Sequence, residues 1–426
     1  MSQRQLRHDS AGSIMTARLA AGVSVASSCQ KMRAVLIESR RRGLESQVTI
    51  LATTCMTMDE SLVARLCKLA SITKNDISAE TLGQVRAELA EIEVEALQRL
   101  AAEATVALNK ILVVGVDDPG WWSTSGVAPS CISLCDAARV AEASGISVVD
   151  NFAARDLAQS GQGGPLRALP QWILLRHPTE NRLLVDLGRT TRMTFLPGEN
   201  CSMATSHILS FDVGPGTWLL DDLATRLTSG QHRFDPGGRF AVQGKRLDTL
   251  LEHWLSDHTF SRSSPRWHPR GVRPERFLND AVTMAIESDW SVRDLLCTAT
   301  HLIAESIARS IRDRLPNDLA IDRIVVTGGG QHNGMLLREI ASRLPQVGLS
   351  LLNELNIKDD ALSATCAALL ALFHLDQIPG NIRSVTGAEV PRVLGRLTPG
   401  SPQSWQNLVH HMAGAEPSLR TLRSAL

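Results

Sequence analysis

Two stretches of this chain carry the same order of elements, and that repetition constrains the fold more than any other feature. The first opens with three short strand-like runs at 19–25, 32–38 and 47–53, divided by Ser- and Arg-rich turns. Apolar residues then recur at three- and four-residue spacing over 58–69 and 79–109, which predicts helices. A buried strand at 111–115, a helix at 131–143 and a strand at 146–149 follow. From Asn181 the order begins again, with strands at 182–187, 192–196 and 207–213 and helices at 218–227, 247–255 and 295–315. A strand at 324–326 then runs into Gly328, Gly329 and Gly330 and a further helix. No residue-level repeat accompanies the pattern, so the duplication is topological and predicts two related α/β domains facing a cleft. Residues 1–16 read as a loose polar tail, 17–178 as the first domain and 179–426 as the second.

Charge and composition narrow the partners. Forty-four Lys and Arg balance 44 Asp and Glu over 426 residues, so no basic field is available to hold nucleic acid or an anionic membrane. Aromatics make up 4 % of the chain and include no Tyr, which argues against base stacking and removes Tyr as a catalytic acid or base. The eight cysteines are scattered through apolar stretches and read as reduced thiols; Cys131 and Cys135 match no common zinc spacing. The longest apolar run, 362–373, is too short for a bilayer, which needs about 20 residues. Arg4 and Arg7 ahead of 20–26 imitate a signal peptide only weakly, because Arg18 interrupts them, and the expected location is cytoplasmic.

Four segments carry candidate chemistry. In Ile324–Asn333 three glycines stand where a buried strand gives way to a helix, a junction whose free N–H groups suit a phosphate; the plainer reading is a tight turn, with His332 and Asn333 capping the helix. Phe211-Asp212-Val213-Gly214-Pro215-Gly216 puts a carboxylate at a strand end, able to hold Mg²⁺ or a substrate hydroxyl, or merely to cap the next helix. It lacks the third glycine of a dinucleotide fingerprint. In Arg155–Pro165, Asp156 beside a Gly/Gln loop suits a general base, or else a surface Arg–Asp pair. Gly238–Arg246 imitates a P-loop but has one residue too many between its glycines and Arg246 where Ser or Thr belongs. The Arg-rich stretch 262–276 reads as solvated surface or as a cleft loop for an acidic ligand.

Taken together these blocks resemble a known family. VVTGGGQHNGMLL (325–337), PGNIRSVTGAEVPRVLGRLTPG (379–400), RDLAQSGQGGPL (155–166), FDVGPG (211–216) and FDPGGRFAVQGK (234–245) are similar, in order and spacing, to the anhydro-N-acetylmuramic acid kinases. The resemblance covers about 18–400. It implies a two-domain actin/hexokinase-like (ribonuclease H-like) fold and a cytosolic, dimeric enzyme of peptidoglycan sugar recycling. Such an enzyme uses ATP and Mg²⁺, opens the 1,6-anhydro ring with water and phosphorylates O6. By resemblance Asp156 is the base. Gly328, Gly329 and Gly330 lie against the nucleotide, and so do Ser27 and Ser28 of the first turn. Asp212, Gly214 and Gly216 belong to the phosphate and metal region, with Asp212 the metal ligand, and Gln162 and Gly163 contact the sugar.

The chain also departs from the family pattern. The phosphate turn SGTS, followed by an aliphatic residue and Asp-Gly, is replaced by Val25–Lys31 (VASSCQK). HGQT becomes Asp117-Asp118-Pro119-Gly120, Asp-Phe-Arg becomes Asn151-Phe152-Ala153, and GGIAN becomes Gly188-Arg189-Thr190-Thr191-Arg192. A family Glu is Ser363. Beside the active kinase these changes leave two alternatives, a kinase of a different amino sugar and a silent relative that binds nucleotide or sugar.

Overall fold

The computed structural model describes residues 17–26, 28–70, 78–123, 130–261, 267, 275–316 and 319–413. Arg18–Val25 (β1) is apolar along most of its length and buried on both faces, as a central strand must be. It pairs antiparallel with Lys31–Arg40 (β2), which pairs antiparallel with Gln47–Thr57 (β3), a largely exposed edge strand. On its other side β1 runs parallel to Val113–Asp117 (β4). A separate hairpin of Trp121–Ser123 (β5) and Ser130–Ile132 (β6) comes next in the chain, and then Val148–Asp150 (β7) lies parallel to β4. The second sheet repeats the plan. Arg182–Leu187 (β8) is antiparallel to Thr190–Leu196 (β9), and β9 to Leu209–Pro215 (β10). Parallel to β8 runs Arg323–Thr327 (β11), itself parallel to Gly348–Leu351 (β12). Both sheets therefore have the strand order three-two-one-four-five with only the second strand reversed, the actin/hexokinase-like duplication expected above.

Between the sheets lies the helix Leu362–Leu375, apolar nearly all round and buried nearly all round. Small residues let it sit against the first sheet. A Cβ on Gly22 of β1 would stand 1.8 Å from the Ala364 carbonyl oxygen, and one on Gly115 of β4 would stand 2.1 Å from that of Ala367. Its other contacts belong to a core that joins Leu184, Leu196 and Val325 of the second sheet to Val35, Val113 and Val149 of the first, through the helix Ala168–Leu175 as well. The chain then adds Arg396–Thr398 (β13) antiparallel to β7.

The C-terminal part of the expected second domain, 179–426, also reaches the first sheet: the helix from Leu362 packs on β1 and β4, where two strand glycines make room for it, and β13 pairs with β7. The helix expected at 131–143 is also shorter. It spans Ala137–Ser144, since the Asp136 side chain accepts the Arg139 N–H and starts it there, while 130–132 is strand. All eight cysteines are free thiols. Among the described residues no helix is long and apolar enough to cross a membrane, and no group of three or more His, Cys, Asp or Glu side chains is placed to hold a metal ion.

Because backbone, not a flexible side chain, faces Gly22, Gly22→Ala is expected to cost about 1–3 kcal/mol or more in denaturant unfolding. Gly83→Ala, in an exposed-side helix position with nothing within 4 Å, should instead gain up to about 1 kcal/mol.

Candidate active site

Parallel strands aim their C-terminal ends at one region, and there the polar residues collect. Ser24 ends β1 and Asp117 ends β4 at directly paired positions; Asp186 and Thr327 are paired in the same way near the ends of β8 and β11. Asp117 lines a cavity of about 110 Å³ that Arg192 of the second sheet also reaches. Its wall includes Asp117, Asp118, Asn151, Ala153 and Arg192, so three of the stretches that depart from the family pattern meet here. A fourth, Ser363, reaches it through Arg167, another wall residue. The Arg167 guanidinium donates to Asp117 Oδ2 from Nε at 3.1 Å and from Nη2 at 2.5 Å, and to Ser363 Oγ from Nη1 at 2.6 Å. A glutamate replaced by a hydroxyl at 363 leaves the arginine to its Asp117 partner.

The second sheet contributes a row of alternating charge. Arg192 on β9 stands directly opposite Asp186 on β8 and Asp212 on β10. Arg192 Nε donates to Asp212 Oδ1 at 2.8 Å. Burial pushes the Asp186 carboxyl up; Arg192 and Arg167 pull it back, and Asp359 and Asp212 push it up again. Asp186 had no signal in the sequence beyond being a charged residue near the end of an apolar strand.

Aromatic walls close the cavity. Trp122 and Trp267 meet edge to face with ring centres 4.7 Å apart, and Trp267 belongs to the Arg-rich stretch read above as a possible cleft loop. A Cβ on Gly163 would stand 2.8 Å from Trp122, and one on Gly164 2.7 Å from Trp267, so this glycine pair makes room for both rings. Gly163 lines the cavity; Gln162 is not among its wall residues and donates its backbone N–H to the Thr386 carbonyl at 2.9 Å.

Asp156 is held by donors of the protein itself. Its carboxylate is fully buried, with Oδ1 accepting Asn381 Nδ2 and Thr386 Oγ1, each at 2.6 Å, and Oδ2 accepting the Gly163 N–H at 2.8 Å. Three donors from the protein itself enclose it, and it is absent from the cavity wall. Asp156 ties the glycine loop, whose Gly163 lines the cavity, to the 381–386 segment and is not an exposed loop carboxylate. Nor is it half of a surface pair with Arg155, whose Nη1 donates to the Val393 carbonyl.

The glycines fall into two groups. A Cβ on Gly216 would stand 2.3 Å from the Gly188 carbonyl oxygen, one on Gly328 2.8 Å from the Gly188 nitrogen, and one on Gly330 2.6 Å from Leu187 Cβ. These three interlock with the β8–β9 turn, and Gly328 needs its φ of +86° besides. Gly329 has nothing within 4 Å and leaves open space above the turn. Gly214 sits at a bulge in β10 and makes room for Phe260, which a Cβ would meet at 2.7 Å. Asp212 is not a helix cap, since Gly216 holds that position, whereas Asn333 does cap the helix Gly334–Arg343 by accepting the Leu336 N–H. Ser27 lies outside the described residues; the Ser28 hydroxyl accepts the Gln30 N–H at 3.4 Å within its own turn. Across from the glycines, Thr53, Thr54 and Cys55 of β3 face Gln331, His332 and Lys358 around a second cavity of about 370 Å³. The Arg33–Asp360 ion pair, at 2.7 Å, links β2 to the segment between β12 and the long buried helix.

Behind the first cavity is a compact acidic network. Asp118 Oδ1 accepts the Gly120 and Leu134 N–H groups at 2.7 and 2.8 Å, and Arg396 grips Asp150 with two nitrogens at 3.1 and 2.7 Å. Glu93 is fully buried, with Cys135 Sγ 3.6 Å from Oε2 and no hydrogen-bond partner for Oε1. Burial first, and then the charge of Asp118, push its carboxyl well up.

Residues 19–400 match the family model described as anhydro-N-acetylmuramic acid kinase. The chain belongs to that family. A member named anhydro-N-acetylmuramic acid kinase from Caldanaerobacter subterraneus subsp. tengcongensis is 27 % identical over 393 residues, covering 89 % of this chain and 97 % of its own. One of the same name from Crocosphaera subtropica is 35 % identical over 260 residues, 61 % of this chain and 67 % of its own. Among solved structures, the ROK hexokinase from Thermus thermophilus aligns with a TM-score of 0.33 at 14 % identity, covering 82 % of this chain and 97 % of that one.

Two outcomes test this site. Asp156→Ala strands three buried donors and is expected to lower stability by about 1–3 kcal/mol, read in urea melts, and to expose the 158–164 loop to proteolysis. Glu93→Gln tests the acidic network. With its folded pKa above the unfolded one, Glu93 contributes stability at low pH that is lost as pH rises through the folded value, so the variant should be more stable than wild type at pH 7–8, with the gap closing toward pH 4.

Proposed function

We propose that this protein is an ATP-dependent kinase that converts 1,6-anhydro-N-acetylmuramic acid to N-acetylmuramic acid 6-phosphate, opening the anhydro ring with water, in peptidoglycan sugar recycling. The observation that carries the reading is the placing of the Asp186–Arg192–Asp212 row between a polar, Trp-walled cavity and the interlocked glycine turn. A sugar in the cavity and phosphates at the turn would meet at that row.

In the proposed reaction water attacks C1 and the bond from C1 to the bridging oxygen breaks. That oxygen, O6, forms a bond to the γ-phosphorus as ADP leaves. One proton of the water passes to a carboxylate. By the family resemblance that carboxylate is Asp156, which Asn381, Thr386 and the N–H of the cavity residue Gly163 hold in one orientation. Gly163 and the two Trp rings support the sugar, whose apolar ring face suits indole surfaces. Gly328, Gly329 and Gly330 support the nucleotide, Gly329 by the open space at its α-carbon. Mg²⁺ is commonly held by one or two carboxylates plus substrate phosphates; Asp212, with Asp186 two strands away in the same row, would hold it, and the ion would neutralise phosphate charge. A cytoplasmic homodimer belongs to the same proposal.

One observation favours the silent-relative reading. Asp359 Oδ1 accepts the Gly328 N–H at 2.7 Å, placing a carboxylate on a backbone donor of the turn. Incubation of the protein with Mg·ATP and the anhydro sugar separates the two. The kinase reading expects ADP and sugar phosphate in equal amounts and a fall in kcat of about 10²- to 10⁴-fold in Asp156→Asn. A thermal shift with ATP but no turnover would establish the silent relative instead.

A further inference from the structure

Arg192 differs from the other arginine of the cavity wall in what its guanidinium has left to offer. Arg167 has Nε, Nη1 and Nη2 all engaged, by Asp117 and Ser363. Arg192 is bound through Nε alone among the described residues, and its side chain keeps 23 % of its surface exposed where it lines the cavity. Asp212 fixes the stem of the fork, and the cross-strand neighbour Asp186 balances its charge from the other side. The Nη edge is therefore a pre-oriented, charged double donor, the arrangement that recognises a two-oxygen anion best. It stands on the strand that leaves the β8–β9 turn.

We infer that Arg192 binds an oxyanion of the ligand in this cavity, a positive contact that the sequence GGIAN, with Asn at this position, does not supply. The inference rests on the kinase reading and deepens it. Two groups of the proposed ligands have the required chemistry: the lactyl carboxylate of the sugar and the phosphoryl group in transfer. The position also accounts for how a chain whose first phosphate turn has lost its glycines and acid retains a cationic contact beside the second turn.

The test uses the full chain and three variants, Arg192→Asn, Arg192→Met and Arg192→Lys, with thermal melts to establish that each is folded. Each is assayed with Mg·ATP and either 1,6-anhydro-N-acetylmuramic acid or 1,6-anhydro-N-acetylglucosamine, which lacks the lactyl group, and sugar binding without nucleotide is followed by calorimetry. If Arg192 holds the carboxylate, Asn and Met weaken binding and raise KM for the acidic sugar about 10- to 100-fold, while kcat and the affinity for the lactyl-free sugar persist. If it holds the phosphoryl group, kcat falls about 10²- to 10³-fold with both sugars and sugar binding is kept. Lys restores part of the loss in either case. Folded Asn and Met variants with kcat and KM within two-fold of wild type would overturn the inference and leave the kinase reading standing. Wild type that neither turns over nor binds either sugar would overturn the kinase reading and this inference with it.

Discussion

The seating of one apolar helix against two strand glycines is the contact on which the remaining architecture depends. Leu362–Leu375 approaches β1 and β4 so closely that Gly22 and Gly115 tolerate no side chain, and its far side contributes to the core shared with the second sheet. Close packing of this kind transmits position, because a well-filled interior is not easily compressed. Holding the helix there sets the strand ends of one sheet opposite those of the other. It also sets Ser363, at the helix start, within reach of Arg167 in the wall between them.

Charge in the cleft follows from that geometry. Asp117 meets Arg167, Asp150 meets Arg396, and Asp212 meets Arg192, each pair drawn from two different elements. The zero net charge of the chain is thus not an absence of electrostatics but a local pairing, strand end by strand end. Removing one partner of such a pair leaves a poorly solvated charge, which costs more than the pair itself is worth. Where pairing is incomplete the consequences differ with surroundings. At Glu93 burial drives the carboxyl toward its neutral form, whereas at Arg192 the spare donors face a cavity and remain available.

Much of the site was legible residue by residue but not as a site. The triple glycine stood out, and the structure divides its labour between packing at Gly328 and Gly330 and openness at Gly329. Asp212 was singled out at a strand end. Asp156 was legible as a carboxylate beside glycines but its enclosure was not, because the Asn381 and Thr386 side chains that hold it lie 225 and 230 residues away. Asp186 and Arg167 carried no local signature, since each acquires its role from partners on other strands.

The sequence by itself determined the duplicated α/β plan, because strand and helix periodicities are local and survive without knowledge of contacts. It also determined the family, through ordered blocks from 155 to 400. Only the tertiary structure decided that the helix from Leu362 packs on the first sheet, that three rewritten segments share one cavity wall, and that distant residues enclose Asp156 while Arg192 faces inward. Those facts depend on long-range packing and cross-strand register, where a few ångströms decide whether a charge is a strut or a ligand contact.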